Sequence, residues 1–530
     1  MTPAEDREEL RRALLDDAFK PGEGWRRNGR PLEWSIDCRE IALNARLLPK
    51  LGNLLWYRLR STMPDGVAGP EVSGTPLVAG VLFAGIQESV NLGGFVVRSA
   101  PKQYGRRKQI EGRSIRRGER IVIVDDVAST GSEILSVAET LRAHGAQVST
   151  ASVVVDAQMG APAALERAGI ELRPLFKLSD LGIRTSLDPA PRSAPTWTYG
   201  PTNMFPSTVP YSSPVIVGEL IVLGTDAGSV LGLTLDGRRV WHTQLPAAVG
   251  GNSAGIYSSP KIMDGIAYFG ANDGYIYALS VKDGEILWRQ RCGWRVGSTV
   301  ALWAGGQRLF VEAADGGNSG ALLAFSTASG SSLWRRPLAG YAHASPGVHA
   351  PSGTVIAGDN AGMISGFDVE TGKTKWMYET QGAVKGRITV DDLGRCYTGS
   401  FDGNLYVLDV TNGRLVWNRR LSRRLYCTPF VSGRCVIVGG TSHIACLERE
   451  TGSVRWWQHT GGSVRGGAKP FPGDNVAVAC GDGRVLIIDV QTGTVRRILQ
   501  ARGQIICSPA VSKSGVLVAP STDGLLCGWI

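Results

Sequence analysis

Residues Arg120–Ser132, RIVIVDDVASTGS, decide how the N-terminal third of this 530-residue chain is read. Ile121, Val122, Ile123 and Val124 form an unbroken apolar run, the pattern of a strand buried on both faces of a parallel sheet. The segment that follows, SEILSVAETLRAHG, has helical periodicity and stops at Gly145. Between strand and helix, Val127, Ala128, Ser129, Thr130, Gly131 and Ser132 offer backbone N–H groups and hydroxyls at a helix N-terminus. That is a natural cradle for a phosphate. Asp125 and Asp126 stand beside it, where a ribose diol or a magnesium-bound ligand is expected to be held. A phosphate cup next to two carboxylates suits a sugar phosphate better than a bare anion. Neither the GxxxxGK[ST] of the nucleotide P-loop nor the GxGxxG of dinucleotide-binding turns is present in the stretch.

Just upstream, FVVRSAPKQYGRRKQIEG (residues 95–112) concentrates Arg98, Lys102, Arg106, Arg107 and Lys108, punctuated by Gly105 and Gly112. A basic, glycine-punctuated loop before a strand suits a lid that closes over an anionic leaving group and excludes water.

The chain is too long for one ordinary core, so at least two domains are expected. Its 43% hydrophobic and 20% charged residues are those of a globular protein. A net charge of +10 reads as a mildly basic surface and calls for no nucleic-acid partner. The first residues, MTPAEDREELRRALLDDAFK, form an amphipathic pattern without a signal-peptide core, and no run reaches transmembrane length. Nine cysteines with no CxxC and no adjacent pair argue against a disulfide framework or a zinc site. The expectation is a cytoplasmic protein without a membrane partner.

Two grammars divide the chain. Up to Leu181, strands (GFVVR, IVIV, STASVVV) alternate with helices (LVAGVLFAGIQESV, GAPAALERAG), which predicts an α/β domain with a parallel sheet over residues 1–181. Residues 182–195, rich in proline and polar residues, read as a linker. From residue 196 to 530 a repeat runs through GANDGYIYALSVKDGEILW, GDNAGMISGFDVETGKTKW, GSFDGNLYVLDVTNGRLVW and GGTSHIACLERETGSVRW. Tryptophans recur at 197, 241, 288, 334, 376, 417 and 456, with Arg496 in the next slot, and the spacing is that of a propeller blade. Blade starts fall near Ser212, Ser258, Ser298, Ala344, Gly386, Cys427, Gly466 and Cys507, which predicts an all-β propeller of eight blades. The last unit lacks its own outer strand, so the strand around Trp197 is expected to close the ring and leave no free sheet edge. One tryptophan per blade reads as packing between blades, not as a ligand cage.

The DD–STGS motif resembles the PRPP (5-phosphoribosyl 1-pyrophosphate) motif of type I phosphoribosyltransferases. From about residue 8 to Leu181 the chain resembles the orotate phosphoribosyltransferases in particular. RSAPKQYGRRKQIEG is similar to the family's catalytic loop, RKxxKD[HY]G…[IV]EG, and the match carries Arg98, Lys102, Tyr104, Gly105 and Glu111. DGVAGPEVSGTPLVAGVL resembles the segment with the pyrophosphate loop, Ser73, Gly74 and Thr75 at its tip. WRRNGRPLEWSIDCREI resembles the base-binding segment LxSGxxSxYxxDxR, and LFKLSDL the segment that closes the domain. The resemblance implies PRPP as donor, with Asp125 and Asp126 on its ribose hydroxyls. Residues Ala128 to Ser132 would hold the 5′-phosphate, and Arg98, Lys102, Tyr104, Arg107 and Lys108 the pyrophosphate. It also implies Mg²⁺ carried in through PRPP rather than by a dedicated protein cage, and a homodimer, since the family's loop reaches into the neighbouring subunit's site.

Departures fall on the acceptor side. Ser99 stands where a lysine usually follows the arginine, Arg27 where a lysine touches the base, and Trp34-Ser35-Ile36 where aromatic residues are common. After STASVVVD the family has Asp-Arg, whose arginine takes the orotate carboxylate; here the pair is Asp156-Ala157. A charged hydrogen bond of that kind contributes about 1.5–3 kcal/mol, roughly ten- to a hundredfold in affinity. The implied activity is therefore Mg-assisted transfer of 5-phosphoribosyl from PRPP to orotate or an orotate-like heterocyclic or aromatic acceptor. The alternative is a PRPP-sensing regulator that signals through the propeller.

The C-terminal units resemble the PQQ-like propeller repeats of eight-bladed quinoproteins and outer-membrane assembly factors. No adjacent cysteine pair accompanies them, so the resemblance implies the fold and not a bound PQQ. A scaffold or a docking platform for a protein partner are both open roles for it.

Overall fold

The computed structural model describes residues 3–22, 33–99, 109–186, 190–200, 211–246, 255–303, 305 and 307–530. The chain divides into two compact units, Met1–Ile183 and Arg184–Ile530.

In the first unit, β1 (Phe19–Pro21) and β2 (Trp34–Ile36) pair as a short antiparallel ribbon. The main sheet uses β3 (Gly66–Pro70), β4 (Gly93–Val97), β5 (Ile110–Gly112), β6 (Ile121–Ala128), β7 (Thr150–Asp156) and β8 (Glu171–Lys177). Its order is β5-β4-β3-β6-β7-β8, parallel throughout except for β5. The helices are α1 (Pro3–Ala13), α2 (Arg39–Ala42), α3 (Leu48–Leu59), α4 (Gly74–Gln87), α5 (Ser132–Ala143) and α6 (Ala161–Arg167). The apolar run of β6 is buried on both faces. Ile121 and Ile123 pack with Val137 and Leu141 of α5 and Leu165 of α6, while Val122 and Val124 are buried on the other side. The chain leaves β3 toward β4 on one side and reaches β7 from β6 on the other. The carboxyl ends of β3 and β6 therefore flank a switch point, where α/β sheets open a crevice.

The second unit is an eight-bladed propeller. Seven blades are consecutive four-stranded meanders: blade 1 (215–244), blade 2 (261–291), blade 3 (301–338), blade 4 (347–379), blade 5 (389–420), blade 6 (430–459) and blade 7 (469–500). Blade 8 (510–529) has three strands of its own and takes Trp197–Tyr199 as the fourth, in register Trp197↔Gly528 and Tyr199↔Leu526. Within the stretch whose composition reads as linker, Arg192–Ser193 adds a parallel edge strand to blade 7. Extended, proline-flanked chain has free N–H and C=O groups to offer such an edge.

The tryptophans lock each blade to the next. Trp197, Trp241, Trp334 and Trp456 donate Nε1–H to Leu235, Val281, Val369 and Val490 of the following blade at 2.7–3.1 Å. The glycine of the following blade's TG or DG turn lies flat on the indole. A Cβ at Gly493, whose φ is 70°, would stand 2.6 Å from Trp456. Arg496, in the blade 7 slot, is exposed and donates to Asp489 instead. All nine cysteines are free and buried. Among the described residues no helix is long and apolar enough to cross a membrane.

Candidate active site

The crevice between β3 and β6 is a cavity of about 470 Å³. The end of β3 and the loop after it supply Pro70, Glu71, Val72 and Ser73. The end of β4 supplies Val97, Arg98 and Ser99; β6 supplies Asp126; α5 supplies Glu133, Ser136 and Val137. Ser35, Ile36, Asp37 and Arg39 form the remaining wall.

Asp126 faces the cavity and Asp125 lies behind it, 2% exposed. The Ser73 hydroxyl and the Asp126 N–H both donate to Asp125 Oδ1 at 2.8 Å, and the Val127 N–H donates to Asp126 Oδ1 at 2.7 Å. These bonds fix both carboxylates. Burial holds both carboxyls above the usual range, and the charge of Asp126 pushes Asp125 up further. Asp37 adds to the effect on Asp126. A ligand that donates hydroxyls or brings positive charge relieves the strain of two buried like charges. The thiol of Cys38, wholly buried nearby, is pushed up by burial and by the same carboxylates.

Past β6 the chain turns through Ser129 and Thr130, both exposed, into Gly131 at φ 82°, and α5 starts at Ser132. Only glycine adopts that φ freely, and a Cβ there would press on Leu165 at 3.3 Å. Thr130 donates to the Ser132 hydroxyl at 3.2 Å. The exposed hydroxyls and the first N–H groups of α5 thus stand together beside the cavity, an arrangement chemically suited to an anion. On the β3 side, the loop into α4 is equally tight, because a Cβ at Gly74 would meet Gly69 Cα at 2.8 Å. Ser73, at the N-cap position, gives its hydroxyl to Asp125 and makes no side-chain cap bond, and Thr75 donates to the Glu71 carbonyl.

Arg98 sits at the cavity edge between two carboxylates, donating to Glu71 and, at 3.3 Å, to Glu111. Arg39 grips Asp37 through a fork of two bonds at 2.6 and 2.7 Å, which holds the Asp37 carboxyl below its usual range. Every cation on this wall therefore has its counter-charge in place.

The structure brings Ser73, Gly74, Asp125, Asp126, Arg98 and the 128–132 turn together. Trp34 is half-buried, its ring 6.3 Å from Phe19, and its neighbours Ser35 and Ile36 line the cavity instead. Ala157 is fully buried, its N–H bonded to Ala128 O at 2.9 Å, and does not line the cavity. Arg27, Lys102, Tyr104, Arg107 and Lys108 lie outside the described residues. Asp37, Arg39, Glu71 and Glu133 were not singled out by sequence, although the DxR of the early motif falls on Asp37 and Arg39.

The donor chemistry suits magnesium. Mg²⁺ takes oxygen ligands, keeps waters, and is commonly held by one or two carboxylates plus substrate phosphates. Asp126, with Asp125 behind it, fits that role beside a phosphate cradle, and no group of three metal-ligating side chains occurs among the described residues.

The phosphoribosyl transferase domain family matches residues 42–166. The outer membrane protein assembly factor BamB family matches residues 252–387 and 379–506. The orotate phosphoribosyltransferase of Methanopyrus kandleri is 35% identical over 184 residues, which is 34% of this chain and 94% of that protein. That of Aquifex aeolicus is 30% identical over 154 residues, 29% of this chain and 84% of that protein. For the propeller, a quinohemoprotein alcohol dehydrogenase of Pseudomonas putida HK5 superposes with a TM-score of 0.52 at 12% identity, covering 63% of this chain and 75% of that one. That likeness concerns the fold alone.

Proposed function

This chain belongs to the phosphoribosyltransferase family through its N-terminal unit, and we propose that it transfers 5-phosphoribosyl from PRPP to orotate or an orotate-like heterocyclic or aromatic acid, releasing pyrophosphate. The observation that carries this reading is the fixed Asp125–Asp126 pair just before the Ser129–Ser132 turn, Asp126 facing the cavity and Asp125 buried behind it.

In this reading Asp126 and Asp125 accept hydrogen bonds from the ribose hydroxyls, and the N-terminus of α5 with Ser129, Thr130 and Ser132 holds the 5′-phosphate. The C1–O bond to pyrophosphate breaks, and its electron pair leaves with pyrophosphate. For a heterocyclic acceptor a ring nitrogen supplies the pair for the new bond to C1, and its proton passes to pyrophosphate or to water. Arg98 exchanges Glu71 and Glu111 for the leaving group, joined by Lys102, Tyr104, Arg107 and Lys108 from the basic loop. Cations brought to the leaving group stabilise charge where it develops. Mg²⁺, when bound near Asp126, neutralises part of the pyrophosphate charge. Ser35, Ile36 and Arg39 form the acceptor wall, with Trp34 next to them in the chain and Arg27, from the same sequence motif, outside the described residues. Arg39, which must exchange Asp37 for the ligand, is the cation on that wall.

The family's loop exchange supports a homodimer, which light scattering of the full chain tests. Nine unpaired, buried thiols support a reducing, cytoplasmic setting.

Ala157 favours a second reading, a PRPP-sensing regulator with the propeller as output, because it leaves an acceptor carboxylate without the family's arginine. Incubating the protein with PRPP, Mg²⁺ and a panel of acceptors separates the two. Pyrophosphate release with one acceptor supports the transferase. Saturable PRPP binding without release from any acceptor supports the regulator.

A further inference from the structure

All eight blades line an axial cavity of about 770 Å³. Its wall is tiered, because every blade enters the ring through an equivalent short segment. In the outer tier blades 1, 2, 4 and 6 present Tyr211, Tyr257, His343 and Tyr426, whereas blades 5 and 7 present Lys385 and Arg465. Two residues on, a belt of hydroxyls staples neighbouring blades. Ser508, Ser213, Ser259 and Thr299 each donate a backbone N–H to the hydroxyl of the next blade, on Ser213, Ser259, Thr299 and Ser345, at 3.0–3.1 Å. The belt stops at blade 5, where Arg387 occupies the hydroxyl position. Two further residues along, at the first position of the inner strand, blades 1, 3, 4 and 8 carry Val215, Ala301, Gly347 and Ala510, but blades 2 and 7 carry Lys261 and Lys469.

The deep cations Arg387, Lys261 and Lys469 therefore belong to blades 5, 2 and 7. Around an eight-membered ring they approach the axis from three separate sides. Arg295 and Arg424 line the cavity as well, which brings the cations to seven. Among the described residues no Asp or Glu lines it, and none of the seven makes an ion pair. Asp226, behind the wall, acts on Tyr257 and Cys507. Elsewhere in the propeller deep cations are paired, as Arg449 is with Asp391 at 2.6 Å. Burial, together with the charges of Arg387 and Lys469, pushes Lys261 down to about 7; burial and Arg387 push Lys469 down to about 8. Buried like charges without counter-charges destabilise a fold, and an anion among them removes the cost. The volume lies within the range of small-molecule pockets, roughly 300–1,000 Å³.

We propose that the axial cavity binds a small organic anion with at least two negative charges and a planar ring, the charges held by Lys261, Arg387 and Lys469 and the ring set against Tyr257, His343 and Tyr426. The site is independent of the transferase cavity and of the reaction proposed for it.

Calorimetry on the full chain tests this with two probes, uridine 5′-monophosphate and benzene-1,3,5-tricarboxylate. Asp125→Asn and Asp126→Asn are introduced first, to suppress binding at the transferase cavity. One probe at least is expected to bind once per chain; the first alone assigns a phosphate ester, the second alone a polycarboxylate. Lys261→Gln with Lys469→Gln is expected to weaken that binding by about tenfold or more. Arg387→Ser, which restores the hydroxyl of the neighbouring blades, is expected to weaken it likewise and to raise the melting temperature of the unliganded protein. In an otherwise unaltered chain, neither change is expected to alter PRPP turnover. Binding of neither probe, or binding that survives both sets of substitutions, overturns the proposal.

Discussion

The cavity of the N-terminal unit gathers Glu71, Asp126 and Glu133 around Arg39 and Arg98, whereas the axial cavity of the propeller gathers seven cations and no carboxylate among its described residues. In the first, each lining cation is already matched: Arg39 by Asp37, Arg98 by Glu71 and Glu111. Among the described residues Asp125, Asp126 and Glu133 have no ion-pair partner, and the first two sit where a ribose and a phosphate-borne cation are expected to lie. In the second, the whole wall has one sign. The first cavity selects by exchanging partners; the second is built to receive charge outright. Catalytic pockets that must release a product favour the first design, because a ligand there competes with groups already in place. A cavity of one sign holds a ligand tightly or has a standing cost.

The comparison breaks most readily at Asp126. Replacing it by alanine is expected to lower PRPP affinity at least about a hundredfold, the loss of two or more charge-assisted hydrogen bonds. Calorimetry should show this while the propeller keeps its melting temperature; unchanged PRPP affinity contradicts the cradle. Next in size is Arg98→Ala. With the leaving-group cation gone, kcat is expected to fall about ten- to a hundredfold in single-turnover measurements, with PRPP affinity reduced less. A smaller effect is expected at Gly131→Ala. A Cβ at φ 82° costs about 1–2 kcal/mol, so KM for PRPP should rise about tenfold without loss of fold.

A further effect, on stability alone, concerns pH. The folded carboxyls of Asp125 and Asp126 are raised above the unfolded value of 3.8. The folded state therefore binds more protons than the unfolded one between that value and the raised one, and stability falls as pH climbs through this window. Amide exchange in β6, corrected for intrinsic rates, is expected to show protection declining from pH 4 toward pH 8 in the unliganded protein. The slope should flatten in Asp125→Asn. An equal slope in that variant removes the pair as its source.

The two cavities were not equally legible in the sequence. The first is announced by contiguous residues: a strand ends, two carboxylates follow, and a turn opens a helix, all within RIVIVDDVASTGS. Local geometry alone carries them into one place. What that run could not reveal was Asp37 and Arg39, brought in from a segment some ninety residues earlier by the β1–β2 ribbon, or the double grip on Arg98, which needs β3 and β5 on either side of β4. Ala157 stood out as a missing arginine, yet it is buried beneath the turn and does not line the cavity. The propeller's blade count followed from its tryptophans, since each performs one local task at one period. Its cavity was invisible by the same logic. Seven cations spread over five entry segments read as a mildly basic surface until the repeats are laid in register. Then Arg387 stands out against serine and threonine, and Lys261 and Lys469 against small or apolar residues.

The most direct measurement is release of pyrophosphate from PRPP by the full chain with Mg²⁺ and a panel of acceptors, orotate and related heterocyclic or aromatic acids among them. The expected result is acceptor-dependent release that disappears in Asp126→Ala. Saturable PRPP binding with no release for any acceptor contradicts the transferase reading.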